Sequence, residues 1–174
     1  MRVKAKLKIK HTDMIRRTRK VKTISGDSSY VGCSVVSEWL DFDTFRSWAE
    51  CQVGHSEEDW HLDKDILLKG NKEYSPETCC FVPLRINILF TSRKSKRGDQ
   101  PIGVYLSKYN KYIARCRDGE NKVHLGSFDN QQSAFYAYKE FKENLIKKVA
   151  YEYKDQISDD VFSALLSYEV EITD

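Results

Sequence analysis

Nothing constrains the folding of this chain more than the stretch that begins at Pro101, where three short runs alternate apolar and polar residues between clusters of turn-forming residues. The runs cover residues 101–107, 111–117 and 122–126, and the segments between them, 108–110 and 118–121, are rich in Asn, Asp and Gly. Alternation with a period of two bounded by such turns predicts three short antiparallel strands. Strand side chains point to alternate faces. Tyr112, Ala114 and Cys116 should therefore share one face of the second strand, and Ile113, Arg115 and Arg117 the other, leaving one face free to be basic and exposed. After Gly126, Asp129 with Gln132 three residues on has the form of a capping box opening a helix. Ala134, Ala137, Tyr138, Phe141, Leu145 and Val149 follow at helical spacing, an apolar stripe suited to covering the other face of the sheet. The expected class is α+β, with a three-stranded antiparallel sheet packed on one helix.

A length of 174 residues allows one ordinary domain or two small ones, and 40% hydrophobic with 32% charged residues suits a folded chain rather than a disordered one. The most apolar run, residues 79–90, is interrupted by Arg85 and Asn87 and falls short of the ~20 apolar residues of a membrane span. No membrane partner and a soluble chain are expected. No apolar block follows the basic start, so no secretory signal is read and the cytoplasm is the default location. Cys33, Cys51, Cys79, Cys80 and Cys116 are then expected as reduced thiols. Although Cys51, His55, Cys79 and Cys80 could gather around zinc, their spacing fits no standard structural site, and small apolar packing is the plainer role.

The net charge of +3 hides four blocks: +9 over residues 1–22, −7 over 23–90, +6 over 91–126 and −5 over 127–174. Two basic segments suit a polyanion gripped at two places, since each neutralised phosphate releases a counterion. A basic run alone can be no more than a solvated face. The second block, however, coincides with the sheet pattern.

Gly103-Val104, Lys111-Tyr-Ile-Ala114, His124-Leu-Gly-Ser-Phe-Asp129, Ala134 and Ala137-Tyr138 resemble the APETALA/ethylene-response-factor type of DNA-binding domain over about residues 97–150. That family lays a three-stranded sheet in the DNA major groove with a helix packed behind. The resemblance implies that Tyr105, Ser107, Tyr109, Arg115, Arg117, Lys122 and His124 face double-stranded DNA. Plant members carry arginine at positions held here by Tyr105 and Ser107 and tryptophan at those of Tyr109 and His124, so their base preference does not transfer. Arg115 and Arg117 could meet guanine edges or phosphates.

In the first half, Trp39, Phe42, Phe45 and Trp48 recur every three residues, an aromatic-faced helix better suited to core than to function. Trp60-His61-Leu-Asp63-Lys-Asp65, a polar turn with Gly70 and Asn71, Tyr74 to Pro83 and Ile86-Asn87 follow as strand, loop, strand and helix start. This stretch resembles the ββα-metal core of phage HNH homing endonucleases, many of which carry an APETALA-like module behind the nuclease. The resemblance implies divalent-metal-dependent phosphodiester hydrolysis in a phage protein working in the bacterial cell, with His61 as general base and magnesium or manganese as the ion. Asn87 stands at the family's third motif position, where its amide oxygen suits such an ion, and Asp63 is the candidate carboxylate ligand, with Asp59 and Asp65 as alternatives. Trp60 occupies the position of a family metal ligand, and Thr78 that of the Asn which braces the loop.

The expected division is 1–90 as the HNH-like region, 91–100 as a basic linker, 101–154 as the APETALA-like domain, and 155–174 as a last helix opened by Asp159 and Asp160 with an acidic tail. An HNH-type endonuclease is the first functional expectation. A catalytically decayed DNA-binding or regulatory protein on the same scaffold is the second, and a module whose basic patches meet an acidic protein is the third.

Overall fold

A computed structural model describes residues 2–19, 30–91, 99–119 and 121–174. The chain is mixed α and β, with five α-helices and three small sheets among these residues. It divides into two compact units: the first holds residues 1–87 and 153–164, the second 88–152 and 165–174. Most of the basic linker anticipated at 91–100 lies outside the described residues.

The first unit opens with α1 (Arg2–Arg19). Lysines at every second position give this segment the look of alternation, but Leu7, His11 and Met14 fall on one side of a helix and are buried there. Arg16, Arg17 and Arg19 close the helix, where cations complement its negative end. His11 belongs to the core: its Nε2–H donates to the Trp39 carbonyl at 2.8 Å, and its ring lies 5.3 Å from that of Phe45.

The aromatic run forms two pieces rather than one helix, a 3-10 turn at Ser37–Leu40 and α2 (Phe42–Ala49). They part at Asp41, whose carboxylate accepts the Thr44 N–H at 2.8 Å and starts α2 afresh. Trp39, Phe45, Trp48 and Phe81 then stack with ring centroids 4.5 to 5.9 Å apart. Leu7, Met14, Leu62 and Tyr74 complete this core.

Strand β1 (Ser34–Val35) pairs parallel with β3 (Glu73–Tyr74), and β2 (Trp60–Asp63) pairs antiparallel with β4 (Cys80–Pro83). The short helix α3 (Leu84–Asn87) continues directly from β4 and packs beside both strands of that ladder.

In the second unit β5 (Val104–Leu106), β6 (Tyr112–Arg117) and β7 (Lys122–Phe128) form the antiparallel sheet anticipated from the alternation, with β6 central. Helix α4 (Gln131–Glu152) packs across all three strands. Val104, Ala114 and Cys116 of the sheet and Ala134, Tyr138, Leu145, Ile146 and Val149 of the helix are buried. The helix begins one residue later than the Asp129 capping box implied: Asn130 Oδ1 accepts the Ser133 N–H at 2.8 Å, while Asp129 is ion-paired with Lys111. Gly103, at φ 76°, is required here, because a Cβ would lie 2.0 Å from the Tyr138 ring.

The last helix, α5 (Asp159–Leu166), buries Val161 and Leu165. The tail beyond it is fastened to α4, where the Val170 N–H donates to Glu143 and the Val170 carbonyl accepts from Lys139, both at 2.8 Å. No helix among the described residues is long and apolar enough to cross a membrane.

Candidate functional site

Strand register decides which side chains share the sheet face opposite α4. Tyr105 stands across from Ile113, and Ile113 from Ser127. The next row pairs Arg115 with His124, and the last pairs Arg117 with Lys122. Between these rows β7 carries one extra residue, Leu125, because Gly126 opposes Ala114 while His124 opposes Arg115. Such a bulge restores the side-chain phase on either side of the interruption. Without it His124 and Lys122 would fall on the helix side. Five of the seven anticipated DNA contacts, Tyr105, Arg115, Arg117, Lys122 and His124, therefore occupy one face.

The other two sit in the β5–β6 turn. Ser107 Oγ accepts the N–H groups of Tyr109 and Lys111, at 3.3 and 3.1 Å, which gives it a turn-closing role. Tyr109 stands 76% exposed beyond the strand end, with the Lys108 ammonium 4.9 Å from its ring centre. On the face itself Arg115, Arg117, Lys122 and His124 have no ion-pair partner among the described residues, in contrast to Lys111. Cations left unpaired on a flat sheet generate a positive field suited to a polyanion.

His61 lies in the first unit, in the middle of β2 opposite Val82. Burial first, and then the nearby charges of Lys10 and Arg17, hold its imidazole below the ordinary histidine value, while Asp59 pulls the other way. The ring is neutral at pH 7, the form able to take a proton from water. Both cations come from α1. The Lys10 ammonium donates to the Trp60 carbonyl, and Arg17 is hydrogen-bonded to the Tyr74 side chain. Lys10 and Arg17 are site neighbours that the alternating lysines concealed; the signal was the spacing of Leu7, His11 and Met14.

Trp60 packs its ring against Gly54, where a Cβ would come within 1.9 Å of it. Asp63 is half-buried; desolvation pushes its carboxyl up, and its Oδ1 accepts the N–H groups of Asp65 and Ile66 at 2.7 and 2.9 Å. It caps the turn that leaves β2. The loop to β3 is braced by Asn71, whose amide donates to the carbonyls of Lys64 and Glu73, at 2.8 and 2.6 Å. Thr78 adds a hydroxyl bond to Glu73 O at 3.0 Å. Thr78 thus shares in bracing this loop.

The donors for a divalent ion are less complete. Asn87 closes α3, but Trp60 supplies no side-chain oxygen, Asp63 is engaged in its turn, and no three His, Cys, Asp or Glu side chains among the described residues gather around one point. The cysteines among the described residues are free thiols, and burial pushes Cys79 up to about 12.

Comparison with protein-family models, characterised proteins and solved structures finds no match to this chain.

Proposed function

We propose that the chain binds double-stranded DNA on a scaffold of the phage HNH-endonuclease type, laying the exposed β5–β7 face in the major groove. The observation that carries this reading is the bulged register, which collects Tyr105, Arg115, Arg117, Lys122 and His124 on the face away from α4. The basic segments at residues 1–22 and 91–126 support it by their charge. The resemblance to the APETALA/ethylene-response-factor domain assigns these positions to DNA.

Metal-dependent cleavage of that DNA is the second reading. It is favoured by the order of antiparallel strand, antiparallel strand and helix, with a neutral His61 on the first strand beside Lys10 and Arg17. In this reading His61 accepts a proton from water and the two cations attract the phosphate, with a magnesium or manganese ion required in addition.

One experiment tests both. Supercoiled plasmid and a duplex oligonucleotide are incubated at low salt with magnesium or manganese, beside His61→Ala and an EDTA control. A duplex shifted on a native gel supports the binding reading, and nicking lost in His61→Ala and in EDTA adds cleavage to it. A shift without nicking in either metal leaves a binding protein on a nuclease-type scaffold. The absence of any shift contradicts the DNA reading and favours an acidic protein partner.

A further inference from the structure

Within the second unit a cavity of about 760 Å³ opens beside β6, past the end of its pairing with β5. Its size falls in the range of about 300–1,000 Å³ typical of small-molecule sites. The wall has two characters. Leu89, Ile102 and Tyr138 supply apolar surface, and Arg115, Arg117, Lys122 and Lys142 supply cations. No carboxylate lines it among the described residues.

Lys142 is the unusual member. It occupies the buried stripe of α4, one turn after Tyr138 and one before Ile146, where an apolar residue would pack. The residue is 9% exposed, and its ammonium has no hydrogen bond or ion pair with a described residue. Burying most of a lysine is costly, and an anion joining its ammonium would offset part of that cost. Inorganic phosphate would neutralise the cations but leave most of the cavity, and its apolar walls, to water. A flat ring attached to the phosphate would fill both parts.

We propose that this cavity binds a mononucleotide, the phosphate among the lining cations Lys142, Arg115, Arg117 and Lys122, and the base among Leu89, Ile102 and Tyr138. Such a nucleotide has two sources, a free nucleoside monophosphate or the phosphorylated end of a DNA strand. The inference does not require duplex binding, although Arg115, Arg117 and Lys122 serve both surfaces.

The full chain is titrated calorimetrically with dAMP, deoxyadenosine and inorganic phosphate, and with two DNA hairpins that differ only in a 5′-phosphate or 5′-hydroxyl. Expected is dAMP binding at least ten-fold tighter than either fragment, weakened at least ten-fold in Lys142→Met and retained in Lys142→Arg. If the phosphorylated hairpin exceeds the hydroxyl one by a similar factor, also lost in Lys142→Met, a strand end is the source. Equal hairpins with tight dAMP identify the free nucleotide. The proposal is overturned if dAMP binds no better than deoxyadenosine or phosphate, or if a folded Lys142→Met, checked by circular dichroism, binds it as wild type does. Should that variant not fold, Lys142→Gln takes its place under the same criteria. The hydroxyl hairpin reports duplex binding separately, so its failure with dAMP binding intact removes the duplex reading alone.

Discussion

At the scale of single residues, the side chains that depart from simple expectation each have an identifiable physical occupation. Trp60 fills the space above Gly54, Asp63 closes the turn after β2, and Thr78 with Asn71 braces the loop that follows. Lys142 is different, since among the described residues no hydrogen bond or ion pair joins its ammonium. Burial holds its pKa below the usual lysine value, so the unfolded chain keeps this proton to higher pH than the folded one. The unfolded state binds more protons in that window, and stability must rise with pH there. At neutral pH, below the unfolded value, the penalty is in force. Lys142→Met should therefore be more stable than wild type at pH 7. The difference from wild type should shrink as pH rises through the folded-state pKa of Lys142 toward the unfolded value. Urea denaturation of both proteins at several pH values reads this directly, and a variant less stable than wild type at pH 7 would contradict it.

At the scale of elements, legibility depended on whether the signal was local. Strands β5, β6 and β7 showed in the sequence because alternation and turn residues act over a few positions. The extra residue at Leu125 did not, since a bulge is defined only against the partner strand. Helix α1 was hidden because lysines at even positions imitate a strand, while its buried side is carried by a few residues, one of them His11. The β1–β3 pair joins segments almost forty residues apart, and only the folded core brings them together. Helix α4 was legible as an apolar stripe, but Lys142 within it was not, because a charge at a stripe position reads as the helix edge. Its start was misplaced by one residue, since Asp129 and Asn130 are both good caps and only the Ser133 hydrogen bond decides. Asn130→Ala should cost about 1 kcal/mol. Asp129→Ala should cost less, because its ion pair with Lys111 is exposed to solvent. Paired thermal melts of the two variants check the order, and a larger loss for Asp129→Ala would restore the earlier cap.

At the scale of the whole molecule, charge and topology act together. The chain leaves the first unit after residue 87, returns to it over 153–164, and ends in the second, a division that no composition shift announces. The four charge blocks were visible at once, and the second basic block maps onto the sheet whose outer face carries Arg115, Arg117, Lys122 and His124. What the sequence could not supply was the phase that puts them on one side. If that face grips DNA, affinity should fall steeply as salt is added, since phosphate contacts release counterions. The most direct measurement is the affinity for a duplex oligonucleotide across a salt series, for wild type, the double variant Arg115→Ala/Arg117→Ala, and a control with Lys147→Ala/Lys148→Ala on the exposed side of α4. The account predicts binding at least ten-fold weaker for the sheet variant at low salt, with a shallower salt slope for each lost phosphate contact, by about 0.9 apiece, and wild-type behaviour for the helix control. A sheet variant that binds as wild type does at every salt concentration, or a helix variant that loses as much, would contradict it.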